Sequence, residues 1–105
     1  MSRSDDERVA DVVEAAAEIA AVVERGKAAW GEDRVSRLAV ERLLEIIGES
    51  ARAMSAGGRA SFQEVPWADV VGLRTVLAHH YHRVDPEQVW VIASVEVPRL
   101  VLALS

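Results

Sequence analysis

LAVERLLEIIGESARAM, residues 38–54, places apolar side chains at three- and four-residue intervals, which is the period of one face of an α-helix. The apolar positions are Leu38, Leu43, Leu44, Ile46, Ile47, Ala51 and Met54. Gly57 and Gly58 are predicted to close this helix, and the glycine-rich, polar residues 57–64 are predicted to form a loop. The segment therefore predicts a helix that packs one side against the rest of the chain.

The same spacing appears earlier in the chain. Ser4 and Glu7 match a capping box, in which each side chain satisfies a backbone N–H at the start of a helix. The helix that follows carries its apolar residues at Val9, Val12, Val13, Ala16, Ile19, Ala20 and Val23. Gly26 is a suitable residue for the end of this helix.

Two further helices are predicted in the second half. Pro66 is expected in the first turn of the third helix, which carries Trp67, Val70, Val71, Arg74, Leu77, Ala78 and Tyr81. Asp85 as the N-cap and Pro86 at the first position predict the start of the fourth. Pro98 predicts a kink in it, because proline has no N–H to donate to the carbonyl of Ser94. No segment alternates like a strand, so the sequence predicts an all-α, four-helix up-and-down bundle.

Length and composition limit the class of protein. The 105 residues are expected to form a single domain, residues 1–105, since domains average roughly 100–150 residues. The chain has no cysteine, which excludes disulfides, thiol nucleophiles and cysteine-ligated metals. The N-terminus is acidic and polar, unlike a signal peptide, and no apolar run reaches the roughly 20 residues of a membrane span. We therefore expect a cytoplasmic protein that does not bind membranes.

Charge and hydrophobicity bear on the partners. The formal net charge is −5, and the acidic excess lies in the first fifty residues. Such a chain repels a polyanion, so any contact with a polyanion must use a local site in the second half, and neither general coating of nucleic acid nor DNA binding is expected. Half of the residues are hydrophobic, which leaves apolar surface that a homodimer would cover.

RTVLAHHYHR, residues 74–83, contains all three histidines, the one tyrosine and no acid. Histidine can take and give a proton near neutral pH, and the planar arginine cation matches phosphate oxygens. Arg74 and His79 would therefore suffice for RNA cleavage with neither a metal nor another cofactor. His79 would assist attack by the 2′-OH or protonate the leaving oxygen, and Arg74 would stabilise the charge of the transition state.

The spacing of these residues constrains how they meet. Tyr81 follows Arg74 by seven residues, about 700° on an ideal helix, so the two lie nearly on one face. His79 follows Arg74 by five residues and lies about 140° away from it. Three arrangements would bring Arg74 and His79 together: the reach of the long arginine side chain, a distorted helix, or two copies meeting across a two-fold axis.

Other interpretations of the polar and aromatic residues stay open. The histidines could be exposed residues near a helix C-terminus, where positive charge is favoured. His79 and His82 have the spacing of a metal pair, but no third ligand is apparent, so we predict no metal site. The tryptophans are predicted to be core or interface anchors rather than a base-stacking platform: Trp30, Trp67 and Trp90.

Two more sets of residues have a structural and a functional interpretation. Glu41, Glu45 and Glu49 recur every four residues, which favours a solvated acidic stripe over paired catalytic carboxylates. Gly48 and Gly72 stand inside predicted helices, where each costs about 1 kcal/mol relative to alanine. We interpret both glycines as points of close helix–helix approach, with backbone access for a ligand as the alternative.

Arg74, His79 and Tyr81 reproduce the Arg-x4-His-x-Tyr signature of HepT-like toxins, a branch of the HEPN helical domains. The sequence resembles this family over nearly its whole length. Residues 43–51 resemble the family's second helix, and the flanks of the signature also fit: 65–67, 85–90 and 97–100.

The resemblance implies a dimeric HEPN bundle with two Arg/His sets around a shared cleft. The implied activity is a metal-independent endoribonuclease, the toxin of a toxin–antitoxin pair, with Arg74 and His79 as catalytic residues. The family's usual partner is a minimal nucleotidyltransferase antitoxin that neutralises the toxin by adding AMP to the motif tyrosine, here Tyr81. Thr75 stands where the family often has asparagine. Its hydroxyl can still support the site by hydrogen bonding, but it is shorter, which leaves the efficiency of cleavage open.

Two other classes of function fit parts of the sequence. A HEPN module that no longer cleaves, and that binds a nucleotidyltransferase or another protein, agrees with the net charge and with Thr75. A purely structural helical dimer fits the first half of the chain but leaves the Arg/His/Tyr cluster unexplained. Induced expression separates the non-cleaving module from a ribonuclease. Only a ribonuclease should arrest growth in a way that Arg74→Ala or His79→Ala relieves.

Overall fold

The structure, a computed structural model, describes residues 4–79 and 85–105, and for residues 74–76, 78 and 79 it describes the backbone alone. The helices in these ranges are α1 (Asp5–Glu24), α2 (Lys27–Glu32), α3 (Arg34–Ala53), α4 (Ala56–Ala60), α5 (Trp67–His79), α6 (Pro86–Val91) and α7 (Val97–Ala103). A π-helical turn, Ile92–Glu96, joins α6 to α7. No strand occurs in either range. The predicted all-α helical bundle is confirmed.

Short-range side-chain bonds define where the helices begin. The Ser4 hydroxyl accepts the Glu7 N–H and the Glu7 carboxylate accepts the Ser4 N–H, both at 3.1 Å, so the predicted capping box starts α1. Asp85 caps α6 by accepting the Glu87 N–H at 2.9 Å, as predicted. Asp33 caps α3 by accepting the N–H groups of Val35 and Ser36. Each cap satisfies a backbone donor that has no partner inside the helix.

The predicted helix boundaries are wrong in three places. Residues 57–60 belong to the short helix α4 rather than a loop, because the Ser55 hydroxyl caps it by accepting the Gly58 N–H at 3.0 Å. Pro66 lies just before α5 rather than in its first turn, and its carbonyl accepts the Val70 N–H. Gly26 follows the end of α1 as predicted, with a φ of +97° that favours glycine, but the short helix α2 that comes after it was not predicted.

The core lies around α3. Four of its residues are fully buried and recur every three or four positions: Val40, Leu44, Ile47 and Ala51. α1 packs against one side of α3 and α5 against another, and the π turn and α7 pack against α1. Leu38 was predicted on the buried face but is 48% exposed, because the buried face of α3 runs through Ser36 and Val40 instead. Because α5 packs chiefly on α3, residues 67–79 are held in the bundle mainly by α3.

The C-terminal helical segment changes its hydrogen bonding just before Pro98. In the π turn the Val97 N–H bonds to the carbonyl of Ile92, five residues back. Proline cannot donate to the carbonyl four residues before it, so a regular α-helix would leave the Ser94 carbonyl without a partner. The kink predicted at Pro98 stays a prediction; the structure shows a π turn just before Pro98, in a helical segment that continues to Ala103.

Candidate active site

The predicted catalytic residues belong to α5, and the buried residues of α5 determine which side of this helix packs against the core. Val70 and Leu77 are 6% and 5% exposed and lie seven residues apart, so they occupy the same side of α5 and face the core. Arg74 lies between them in the sequence, and His79 is the last described residue of α5. The core contacts of α5 therefore position the backbone that carries both candidate catalytic residues.

The backbone of α5 bears on the offset between Arg74 and His79. Residues 67–79 form one uninterrupted α-helix with no π or 3₁₀ turn. A distorted helix is therefore not the arrangement that this backbone adopts, and the angular separation of about 140° applies. Two of the three arrangements remain. Either the long arginine side chain reaches round the helix, or two copies of the chain meet across a two-fold axis.

Several of the predicted site residues fall beyond the side chains that the structure describes. Tyr81 lies outside the described residues, as do His80 and His82. Thr75 is described only as part of the α5 backbone. The structure thus places Arg74, Thr75 and His79 on one helix, and the contacts of the motif side chains stay predictions.

The helix that follows the motif is held by α2, which sequence reasoning missed. The Lys27 ammonium lies 2.6 Å from a carboxylate oxygen of Glu87 near the start of α6. The Trp30 and Trp90 rings lie 5.4 Å apart between centroids and are tilted by 45°. Both contacts join α2 to α6, which begins five residues after Tyr81. A signal for α2 was present in the sequence, because Gly26 and Asp33 are residue types that end and start helices.

The tryptophans pack as predicted for core anchors. Trp30 is 4% exposed, and Trp67 and Trp90 are partly buried against the core. The Trp67 Nε1–H donates to the carbonyl of Arg59 at 3.0 Å. The Trp30 Nε1–H is buried and has no acceptor among the described residues.

Glu41, Glu45 and Glu49 lie on α3 beside a basic side chain, and the stripe predicted to be solvated is partly buried at Glu41 and Glu45. Arg42 lies 3.1 Å from Glu45 and 3.6 Å from Glu49. Burial, and then the charge of Glu45, raise the pKa of the Glu41 carboxyl. Within the described ranges, no three His, Asp or Glu side chains form a group that could hold a metal ion. No described helix is both long enough and apolar enough to cross a membrane.

The family signature extends far beyond the motif. A sequence profile described as "Ribonuclease HepT-like" matches residues 12–105. The chain belongs to the HepT-like ribonuclease family. This match covers α3, α5 and the C-terminal helices, the same segments that the sequence resemblance used.

Curated relatives of this HepT-like chain are similar over about two thirds of its length. "Putative RNase MJ1380" of Methanocaldococcus jannaschii is 41% identical over 68 residues, which are 65% of this chain and 62% of that protein. "Putative RNase TTE0752" of Caldanaerobacter subterraneus is 35% identical over 69 residues, 66% of this chain and 62% of the relative. "Probable ribonuclease HepT" of Thermococcus cleftensis is 32% identical over 68 residues, 65% and 62% respectively. The matched part thus spans less than two thirds of each relative. No solved structure shows significant similarity to the chain.

Proposed function

We propose that this HepT-like chain is a metal-independent endoribonuclease in which Arg74 and His79 act on the RNA backbone. The observation that carries the proposal is the Arg74-x4-His79-x-Tyr81 signature in a chain of this family, with Arg74 and His79 on one continuous α-helix. The names of the curated relatives support the same class of activity.

The chemistry follows from the two side chains. A neutral His79 takes the proton of a ribose 2′-OH, whose oxygen then attacks the adjacent phosphorus while the P–O5′ bond breaks. The leaving 5′-oxygen takes up a proton from solvent water, and the products are a 2′,3′-cyclic phosphate and a 5′-hydroxyl. The Arg74 guanidinium stabilises the extra negative charge that the phosphate oxygens carry in the transition state. Thr75 supports the site through its hydroxyl.

A homodimer supplies the second half of the cleft in this proposal. The angle of about 140° between Arg74 and His79 on a regular helix favours an arrangement in which each residue faces the other copy's motif. The exposed apolar side chains of Val35 and Leu102, both 75% exposed, are further surface that association would cover. Light scattering should give the mass of a dimer, and a monomer that still cleaves RNA would contradict the shared cleft.

The proposed biological role is that of a toxin paired with a minimal nucleotidyltransferase antitoxin. AMP added to Tyr81 would place a phosphate and a purine where the RNA backbone lies, and the phosphate would compete for Arg74. This role rests on the family signature rather than on a contact in the described residues. A neighbouring gene for a small nucleotidyltransferase is expected.

The activity test compares matched variants on a single-stranded RNA in the presence of EDTA. Wild-type protein should cleave it and leave 2′,3′-cyclic phosphate ends, whereas Arg74→Ala and His79→Ala should each lose about 10²-fold or more in rate. Arg52→Ala, which removes an exposed arginine at the end of α3, is the control and should cleave normally. Cleavage that EDTA abolishes and added metal restores would overturn the metal-independent mechanism.

A non-cleaving binding module is the outcome if wild-type protein neither cleaves RNA nor arrests growth on induced expression. Growth arrest that Arg74→Ala and His79→Ala both relieve supports the ribonuclease. Circular dichroism of each variant confirms that the helical fold is kept.

A further inference from the structure

A groove runs between α5 and the C-terminal helical segment. It has a volume of about 500 Å³, and its apolar lining consists of Pro66, Val70, Leu73, Ile92, Val97, Leu100 and Ala103. Because α5 packs mainly on α3, this side of α5 is not closed by the C-terminal helices. Leu73 and Ile92 are only partly buried, so apolar surface is left open to solvent along the groove.

The π turn forms part of the groove wall. Ile92 is its first residue and Glu96 its last, and both line the groove. The backbone hydrogen bonds of a π turn have poorer geometry than those of an α-helix, and π turns occur frequently at functional sites. Pro98 gives a local cause for the turn, and the result is that both of its ends reach the groove.

The rim of the groove is acidic. Glu64, Asp69 and Glu96 line it, with Arg99 as the basic residue. Arg99 lies 3.7 Å from Glu96, so their charges offset each other. Among the described side chains, no basic group forms an ion pair with Glu64 or Asp69. An apolar groove is thus bordered by two carboxylates that form no ion pair with the described basic side chains.

These charges select among the possible occupants. An RNA strand would bring phosphates against the carboxylates of Glu64 and Asp69, which is repulsive. A basic polypeptide would be attracted both by the rim and by the net charge of −5. The apolar lining requires apolar side chains on the same segment, which is the pattern of an amphipathic helix bound in a groove.

We propose that the groove between α5 and α7 is a docking site for a basic amphipathic segment of a partner protein. Apolar side chains of that segment occupy the groove beside Leu73 and Leu100, and its Lys or Arg side chains lie against Glu64 and Asp69. The site is separate from the surface that binds RNA, because the two require ligands of opposite charge.

The groove lies beside the catalytic motif, so a segment docked in it would be able to regulate that motif. Leu73 directly precedes Arg74 on α5, so a segment bound in the groove lies next to the catalytic motif. A partner held there is placed to cover the motif or to modify a residue of it. This consequence rests on the proposed ribonuclease function, whereas docking itself does not.

The test uses two synthetic helical peptides with leucines at the same three- and four-residue spacing. One carries lysines and the other glutamates beside the leucines, and binding is followed by fluorescence anisotropy. The lysine peptide should bind at least about tenfold more tightly than the glutamate peptide, and high salt should remove most of the difference. Amide resonances that shift on binding should be those of residues lining the groove.

Matched variants locate the binding. Glu64→Gln, Asp69→Asn and Glu96→Gln in one protein remove the acidic rim with little change of shape, and should weaken the lysine peptide about tenfold. The control replaces three exposed acids of α1, Glu14, Glu18 and Glu24, with glutamine, and should bind like wild type. Ala103→Phe, which fills the groove from a partly exposed position, should weaken both peptides.

Three results would overturn the docking proposal. Equal affinity for the two peptides would contradict the role of the rim, and resonance shifts away from the groove would place binding elsewhere. A wild-type oligomer that dissociates on Ala103→Phe would show that a second copy occupies the groove. Each result is obtained without RNA, so failure of the docking site is distinguishable from failure of the ribonuclease assay.

Discussion

Tyr81 is the residue that the proposed antitoxin would modify, and its hydroxyl oxygen is the atom that would receive AMP. Tyr81→Phe removes that oxygen while keeping the ring, so the variant should remain folded and keep much of the ribonuclease activity. Coexpression with a minimal nucleotidyltransferase, if one is encoded beside this chain, should add AMP to wild-type protein and leave Tyr81→Phe toxic. Intact mass and growth are the measurements.

Two outcomes contradict this role of Tyr81. If Tyr81→Phe is neutralised as completely as wild type, the partner acts by covering the cleft rather than by modification. If coexpressed wild-type protein gains no mass in steps of AMP, the tyrosine is not the modified residue in this chain.

Gly72 lacks the close helix contact predicted for it. A Cβ added at Gly72 would meet no atom within 4 Å among the described neighbours; Gly48 is buried, and its close helix contact stays a prediction. Gly58 has the opposite environment, because a Cβ there would overlap the carboxylate of Asp5. That carboxylate accepts the N–H of Ser55 at 2.9 Å and so joins the start of α1 to the cap of α4.

The two glycines therefore predict opposite effects of the same substitution. Gly72→Ala adds helix propensity in open space and should raise the free energy of unfolding by about 0.5–1 kcal/mol. Gly58→Ala should lower it, because Asp5 must move away from its hydrogen bonds with Ser55. Urea unfolding of both variants is the measurement, and a Gly58→Ala protein as stable as wild type would contradict the Asp5 contact.

At the scale of elements, helix starts are determined by a few local side chains. The capping box of α1 and the cap of α6 were predicted because their bonds join residues two or three positions apart. The short helices α2 and α4 were missed because neither is long enough to show an apolar stripe. α4 also depends on Asp5, fifty residues away, which no local pattern reveals.

The cap of α3 gives a prediction about acid stability. The Ser36 hydroxyl, and then the Ser36 N–H, hydrogen-bond to the Asp33 carboxylate and lower its pKa, with Arg25 a smaller cause. A carboxyl whose pKa is lower when folded contributes stability that is full above its ordinary value of 3.8 and is lost as pH falls through the lowered value.

Asp33→Asn keeps an N-cap acceptor but removes this titration. Its free energy of unfolding should therefore fall less steeply than that of wild type as pH drops below about 4. Glu14→Gln, an exposed change of the same charge in the middle of α1, is the control and should follow the wild-type slope more closely. Equal slopes for wild type and Asp33→Asn would contradict the role of the cap.

At the scale of the whole molecule, burial separates residues that look alike in the sequence. Leu44 is fully buried in the core and Leu102 is 75% exposed. Leu44→Ala should lower the free energy of unfolding by about 2–5 kcal/mol, through lost burial and a residual cavity. Leu102→Ala should change the stability of the monomer by no more than about 0.5 kcal/mol. Thermal unfolding of dilute protein tests both values.

Concentration dependence extends this test to the proposed dimer. If the second copy covers Leu102, Leu102→Ala should lower the affinity of the dimer while leaving the monomer stable, which light scattering over a range of concentrations measures. An unchanged dimer would place Leu102 outside the interface. A Leu44→Ala protein as stable as wild type would contradict the central place of α3 in the core.

The sequence by itself determined the long helices, the caps of α1 and α6, and the family, because each depends on residues within a few positions of one another. The stripe of α3, the Ser4–Glu7 box and the Arg74-x4-His79-x-Tyr81 spacing are all properties of this kind. Only the tertiary structure decided that Leu38 is exposed, that α2 contacts α6 through Lys27 and Glu87, and that a groove separates α5 from α7. These features join residues far apart in the chain, so they depend on how the helices pack, and helical periodicity does not specify which helices become neighbours.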